Sequence, residues 1–336
     1  MICGQNGQGK TNIIEGIYWL STLKPLRTTR VRELVRWGQP TVHVSGTIES
    51  EGLTHRLAVE LKEGSRQSFR ENKKMRARNY FGVFATVLFT PEDVGLIRGA
   101  PEKRRRLLDR AIFTSRPTHL EDFLNYRRAL DARNQLLRDR SPDELIDVYE
   151  ETLAQYATKL ISSRRAYIDR IRPKYQENLA AILGPELDNM LRYKPSIQAP
   201  DESLFDKLRE TWRDDRSRDR ERGFTTRGPH ADDIVFSILG HSARSYASQG
   251  QQRSMVLSLK IAEIQLFQEI RDEIPIVLLD DVSSELDADR NERLFDFLDG
   301  FLGQVFITTT DPAFLRIQAD RKDWHVTSGT VKAVES

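Results

Sequence analysis

Apolar residues recur along this chain with two periods, and the period changes with position. Over 12–23, Ile13, Ile14, Ile17, Tyr18 and Leu20 stand at helical spacing, which predicts a helix with one apolar side able to lie on a sheet. Over 41–49 and 53–61 the period is two. Leu53, His55, Leu57, Val59 and Leu61 fall on one face and Thr54, Arg56, Ala58 and Glu60 on the other, so two strands are expected, joined by a turn at Glu51-Gly52. Gly64-Ser65 marks another turn, and 83–89 is a continuous apolar run ending at Thr90-Pro91-Glu92-Asp93; together these predict an antiparallel meander. From Pro101 to about Arg222 the pattern is helical. Leu120, Phe123, Leu124, Arg127, Leu130 and Leu137, then Leu153, Tyr156, Leu160, Tyr167 and Ile171, predict two helices packed as an antiparallel arm with Ser141-Pro142 as the bend. Strands return at 234–239 and 276–279, with a helix over 254–270 between them.

Chemistry enters ahead of the first helix. Gly4-Gln5-Asn6-Gly7-Gln8-Gly9-Lys10-Thr11 fills the G-x-x-x-x-G-K-[ST] phosphate loop position by position. Its glycines let the backbone curl around a polyphosphate, and the helix starting near Lys10 turns its positive end to the same oxygens. Gly4 through Thr11 and Asn12 are the candidate ATP-binding residues. Lys10, expected on a solvent-facing loop, would reach the β and γ phosphates, and Thr11 offers a hydroxyl to Mg²⁺. The strand that should feed the loop is reduced to Met1-Ile2-Cys3, too short to pair usefully when strands run about five or six residues. The expectation is that the chain lacks its natural first segment. After the helix, Lys24, Arg27, Arg30, Arg32 and Arg36 read as a basic loop and short helix near the nucleotide, either touching DNA phosphates or simply solvated.

Composition narrows the classes. At 336 residues the chain can build one large domain or two moderate ones with a sizeable core. No run of about 18 apolar residues occurs and no signal sequence opens it, so a cytoplasmic protein with no membrane partner is expected. The single cysteine, Cys3, excludes an internal disulfide framework and any Cys-based zinc site, and reads as a small strand residue. A net charge of +2 is only weakly basic, so a nucleic-acid partner requires local concentration of charge. Between Glu102 and Arg140 there are eleven Lys and Arg against six acids. Arg104, Arg105, Arg106, Arg127 and Arg128 are therefore candidates for DNA phosphates, with a solvated helix face as the alternative. Residues 202–222 nearly balance their signs and read as an exposed helix. His230, in the turn at Gly228-Pro229, has no second His or Cys at ligand spacing and reads as a hydrogen-bonded turn residue.

Ile276-Val277-Leu278-Leu279 ends in Asp280-Asp281. That places a carboxylate at the carboxyl end of a buried strand beside the phosphate loop, where Mg²⁺ needs one; Thr11 and Asp280 are the expected metal ligands. Upstream, Ser248-Gln249-Gly250-Gln251 precedes a helix, and downstream stands Ser284-Glu285-Leu286-Asp287. This order resembles the ABC-type ATPases, whose signature is close to Leu-Ser-Gly-Gly-Gln and whose following loop is close to Ser-Ala-Leu-Asp. Within them, residues 4–20, 28–38, 89–109, 227–233 and 278–287 are similar to the RecF family of bacterial recombination and gap repair.

The resemblance implies an α/β fold, an ABC-type P-loop ATPase head with an antiparallel β meander, interrupted by a helical arm. The head would take 1–98 and 223–336 and the arm 99–222. It also implies a weak Mg²⁺-dependent ATPase that uses ATP to form a homodimer, binds gapped DNA at single-strand/double-strand junctions, and with RecR and RecO helps load RecA. Ser248, Gln249, Gly250 and Gln251 would act in trans on the other chain's nucleotide, and Ser284 and Asp287 would belong to the D-loop. There are departures. Ala247 replaces the signature Leu and Gln249 the first Gly; Asp281, the expected catalytic residue, stands where most ABC ATPases carry Glu, an Asp that RecF-like proteins share. Val305-Phe306-Ile307 leads into Thr308-Thr309-Thr310-Asp311 with no switch His, and no clear Gln marks the loop near Thr90-Pro91-Glu92. A transporter nucleotide-binding subunit would not be expected to carry so long a helical insertion with an Arg-rich first third. A P-loop small-molecule kinase has no use for a Ser-x-Gly-Gln element.

Overall fold

The two-residue strand Ile2–Cys3 (β1) runs through a glycine loop into the helix Lys10–Thr22 (α1) in the computed structural model, which describes residues 1–26, 31–50, 52–62, 64–184, 189–281, 286–311 and 321–334. The chain divides into two units, Met1–Val94 with Phe267–Ser336, and Gly95–Leu266.

In the first unit α1 is apolar on two sides. Trp19, Leu20 and Leu23 pack with Leu57, Val59, Leu61 and Tyr80, whereas Ile14 and Tyr18 pack with Leu88 and Leu278. Leu57, Val59 and Leu61 belong to a four-stranded antiparallel sheet built in chain order from Thr41–Ser50 (β2), Leu53–Lys62 (β3), Ser65–Arg70 (β4) and Lys73–Met75 (β5). The period of two is met in β3, where Leu57, Val59 and Leu61 are buried, while Leu53 near the turn is exposed. Glu51 of the expected turn lies outside the described residues, as do Arg27 and Arg30 of the basic loop. Thr86–Phe89 (β6) does not join the meander. All four of its residues are buried and it pairs in parallel in the other sheet, in keeping with a continuous apolar run covered on both faces.

The second unit opens with Pro101–Ser115 (α2), His119–Arg138 (α3) and Asp143–Leu183 (α4). Helices α3 and α4 pack together across the bend at 139–142, burying Tyr126, Leu130, Leu137, Leu153, Leu160 and Ile161. Their packing also encloses charge. Arg133, with no exposed surface, donates to Glu150, Asp219, the Thr225 hydroxyl and the Trp212 carbonyl. Arg216 donates to Glu150 and Asp147. The sign-balanced stretch read as an exposed helix forms Leu204–Asp214 (α5) and Arg216–Arg222 (α6); Arg213, Asp214, Arg218, Glu221 and Arg222 are exposed, whereas Arg216 and Asp219 are buried and paired with charges on other elements.

Within the stretch expected to be helical, Asn189–Lys194 is a strand (β7) with strict alternation, Leu191 and Tyr193 inward, Met190, Arg192 and Lys194 outward. It pairs antiparallel with Asp233–Ile238 (β8), which pairs with His241–Ser242 (β9). This pairing keeps residues 223–266 in the same unit as the helices, so the division falls at 94/95 and 266/267, not at 98/99 and 222/223. Gln249–Arg271 (α7) follows.

The first unit resumes with Ile276–Asp280 (β10), Ala288–Asp299 (α8), Val305–Thr309 (β11), Trp324–Thr327 (β12) and Thr330–Ala333 (β13). Its sheet has the order β13-β12-β1-β11-β10-β6, parallel throughout except for β13. The expectation that Met1-Ile2-Cys3 is too short to pair is overturned: Ile2 pairs with Thr308 and Trp324, and Cys3 with Thr309 and His325. A strand bonded on both edges needs fewer residues to hold its place. Cys3 is buried there, and burial pushes its thiol up. Among the described residues no helix is long and apolar enough to cross a membrane.

Candidate nucleotide-binding site

The phosphate loop leaves the carboxyl end of β1, flanked by the carboxyl ends of β11 and β12. Gly4, at φ 153°, approaches the Val326 carbonyl so closely that a Cβ would stand 2.5 Å from its oxygen; only glycine fits. Gln8 is held from the side by the β12–β13 turn, its carbonyl accepting from Gly329 N at 3.0 Å and its side-chain oxygen from Ser328 N at 2.5 Å. Gln5, Asn6 and Gly7 are exposed at the mouth, and Asn12 bonds Gly9 through its backbone. Gly9 caps α1 with no side-chain acceptor, so the first-turn N–H groups point into the loop with the helix's positive end behind them.

Lys10 is not on a solvent-facing surface. It is 6% exposed, and its ammonium donates to the Gly4 and Gln5 carbonyls at 2.6 and 3.0 Å. The loop's own carbonyls thus hold the cation inside the ring of N–H groups, with a third N–H remaining for an anion.

Asp280 ends β10 and is one strand removed from β1, with β11 between them. The gap is bridged by side chains. Thr11 Oγ1 donates to Asp280 Oδ1 at 2.9 Å, and Thr308 Oγ1 donates to the same oxygen at 2.8 Å. Asp280 and Thr308 are buried. A hydroxyl and a carboxylate meeting beside a phosphate loop form a hard-oxygen set that fits Mg²⁺, which takes one or two protein carboxylates and completes its shell with phosphates and water. Asp281 has φ 51°, and its N–H is bonded to the Thr308 carbonyl at 3.2 Å and hydroxyl at 3.0 Å. Sequence reasoning missed Thr308 and the 328–329 turn, although Thr308-Thr309-Thr310 stood where a switch His was sought.

Ser248 and Gln251 form a reciprocal cap on α7: Ser248 N–H donates to Gln251 Oε1 at 2.8 Å, and Gln251 N–H to Ser248 Oγ at 3.2 Å. Ser-x-x-Gln is thus also a capping box, a local reason for these residue types. Ser248 and Gln249 are exposed, Gly250 and Gln251 partly so. Asp287 caps α8, accepting from Arg290 N at 3.1 Å; Ser284 lies outside the described residues.

The arginine candidates separate. Arg104 is 3% exposed, its guanidinium bidentate on Asp233 at 2.7 and 2.9 Å and also donating to the Leu96 and Gly99 carbonyls. It is a latch between α2 and β8, and the expectation that it faces DNA is corrected by its burial. Arg105 donates to the Asp232 carbonyl and Arg106 pairs with Glu102; Arg127 and Arg128 are exposed. His230 is a turn residue. Its Nε2–H donates to the Thr225 carbonyl at 2.9 Å, so Nδ1 accepts from the Tyr126 hydroxyl at 2.5 Å, and burial lowers its pKa toward this neutral form.

A parallel sheet, a phosphate loop at its carboxyl ends, a bridged acid and a capped Ser-x-Gly-Gln helix define a P-loop ATPase head of the ABC and SMC type. The chain belongs to the RecF/RecN/SMC N terminal domain family, whose model matches residues 1–328, and within it to RecF. It is 43% identical over 99% of its length to the DNA replication and repair protein RecF of Myxococcus xanthus (strain DK1622), covering 90% of that protein. With the protein of that name from Geobacter sulfurreducens (strain ATCC 51573 / DSM 12127 / PCA) identity is 39%, over 98% of this chain and 92% of the relative. A solved structure described as the recombination mediator protein RecF-ATP in the RecFOR pathway superposes with TM-score 0.91 and 28% identity, covering 99% of this chain and 91% of that one. An SMC head bound to the C-winged helix domain of ScpA shares the fold, at TM-score 0.56 and 14% identity over 99% of this chain and 88% of that one.

Proposed function

We propose that this chain is an ATP-dependent DNA-repair protein that binds gapped or single-strand/double-strand junction DNA, closes into a homodimer on ATP, and with RecO and RecR helps load RecA, hydrolysing ATP slowly to release. The observation that carries the reading is the Thr11–Asp280–Thr308 contact beside a phosphate loop whose lysine is already gathered inward. The relatives named as replication and repair proteins support the DNA side.

In this reading the N–H groups of the loop and of the first turn of α1 hold the polyphosphate, and Lys10 adds charge at the γ end. Thr11 and Asp280 hold Mg²⁺, which when bound offsets phosphate charge. Asp281 orients the attacking water. Its side chain is one methylene shorter than Glu and no switch His stands after β11, so the water is held less firmly. A misplacement of about 1 Å can cost about a hundredfold in rate, which suits a slow switch. Ser248 and the positive end of α7 cap the γ phosphate held by the partner subunit.

The test mixes variants. Lys10→Ala and Ser248→Arg chains should each be inactive alone, yet recover part of the ATPase activity when mixed, because a mixed dimer has one site carrying both defects and one carrying neither. Full activity of either variant alone, or parent activity independent of protein concentration, overturns the shared site. Binding of gapped DNA no tighter than blunt duplex overturns the junction reading.

A further inference from the structure

The second unit carries a basic groove of about 580 Å³ lined by Arg165, Arg192, Tyr193, Lys194, Gln198 and two prolines, Pro195 and Pro200, with no acidic side chain in its lining among the described residues. Arg192 and Lys194 project from the exposed face of β7, an edge strand. They stand about 6.7 Å apart along the strand, enough to hold two phosphates rather than compete for one. Arg165, on α4, donates to Asp201 at 2.6 Å. Asp233, opposite Lys194 in the register, already accepts from Arg104 at both of its carboxylate oxygens.

The floor of the groove is fixed from beneath. Buried Asp232 accepts from the Tyr193 hydroxyl, from Ser196 N at 2.6 Å and from Arg164 Nη1 at 3.4 Å. Ser196 in turn exchanges hydrogen bonds with Gly228, and the prolines fix φ at both ends of the 195–200 segment. The cations are thus presented on a backbone that need not be ordered on binding, which lowers the entropic cost of capturing a ligand.

We propose that this groove holds the phosphodiester backbone of nucleic acid, with Arg192 and Lys194 on neighbouring phosphates and Arg165 joining them as Asp201 releases it. The inference rests on the DNA-binding reading above and moves its contact surface away from Arg104. Contacts of this kind position the duplex without reading its sequence.

The probe is a gapped DNA duplex with ATP, titrated by fluorescence anisotropy between about 50 and 200 mM KCl, the range over which phosphate contacts weaken measurably. Arg192→Ala with Lys194→Ala should lower the log–log salt slope by about 1.8, at about 0.9 for each phosphate no longer neutralised. The affinity that the protein sheds across that salt range then shrinks by roughly tenfold, equally for unrelated sequences. Asp201→Asn should strengthen binding, since it frees Arg165. Thermal unfolding and nucleotide binding should match the parent, because both β7 cations are exposed. A parent that binds DNA while the double variant keeps its slope overturns the groove and leaves the proposed function standing; so does a double variant that binds DNA normally but no longer binds an acidic protein partner. A parent that binds no DNA overturns both.

Discussion

Replacing Gly4 by Ala tests whether the phosphate loop is set by the approach of β12. The added Cβ would stand 2.5 Å from the Val326 carbonyl oxygen, an atom of a paired strand that cannot swing aside. It would also sit at φ 153°, where side chains cost on the order of 1–3 kcal/mol, and overpacking adds about 1–3 kcal/mol more. A loss of about 2–6 kcal/mol corresponds to a fall in Tm of roughly 4–24 °C for a unit of this size. Function should suffer more than stability suggests. The Gly4 carbonyl is the nearer acceptor of the Lys10 ammonium, so its displacement carries the cation with it, and nucleotide affinity should drop at least tenfold. Gly7→Ala is the control: its Cβ would meet nothing within 4 Å, and only the left-handed backbone cost of about 1–2 kcal/mol applies. Fluorescent-nucleotide titration and thermal unfolding of both variants decide the matter. A Gly4→Ala protein no worse than Gly7→Ala in both measurements would refute the argument.

Arg104→Ala should destabilise the protein by about 2–4 kcal/mol, somewhat below a fully buried pair because Asp233 is partly exposed. Arg104→Lys should rescue little, since it lacks the fork, and the salt slope of DNA binding per folded molecule should not change. Burial pushes the Asp109 carboxyl up, but Arg164, bonded to both of its oxygens, and His119 outweigh that and bring it from 3.8 down to about 2. With the folded value depressed, this stability, about 2 kcal/mol, is present above about pH 4 and lost as pH falls toward 2. Urea unfolding of the parent and Asp109→Asn should therefore differ most near neutral pH and converge in acid. Ser248→Asp keeps an N-cap of similar strength while presenting an anion to the partner's phosphate, so it should unfold like the parent yet fail to dimerise with ATP; normal ATP-driven dimerisation, read by gel filtration, would remove Ser248 from the shared site.

Features encoded by short stretches were legible in the sequence alone. The phosphate loop is a run of contiguous residues whose glycines and lysine have no common alternative use in that spacing, and Asp280 follows directly from an apolar strand ending in an acid. The period of two in β3 and the helical period of α1 likewise arise from neighbours in the chain. Tertiary structure decided everything that depended on partners far away. Ile2 and Cys3 form a strand because β11 and β12 bond them from both edges, and β6 leaves the meander because β10 offers it a parallel neighbour. Strand β7 showed its alternation in sequence, but its pairing partner, β8, comes some 40 residues later. Charge was the least legible property. Arg104 and Arg133 look like neighbouring surface cations by composition, yet each is buried because a carboxylate distant in sequence meets it, whereas Arg192 and Lys194 remain outward because the pleat of β7 turns alternate side chains away from the core.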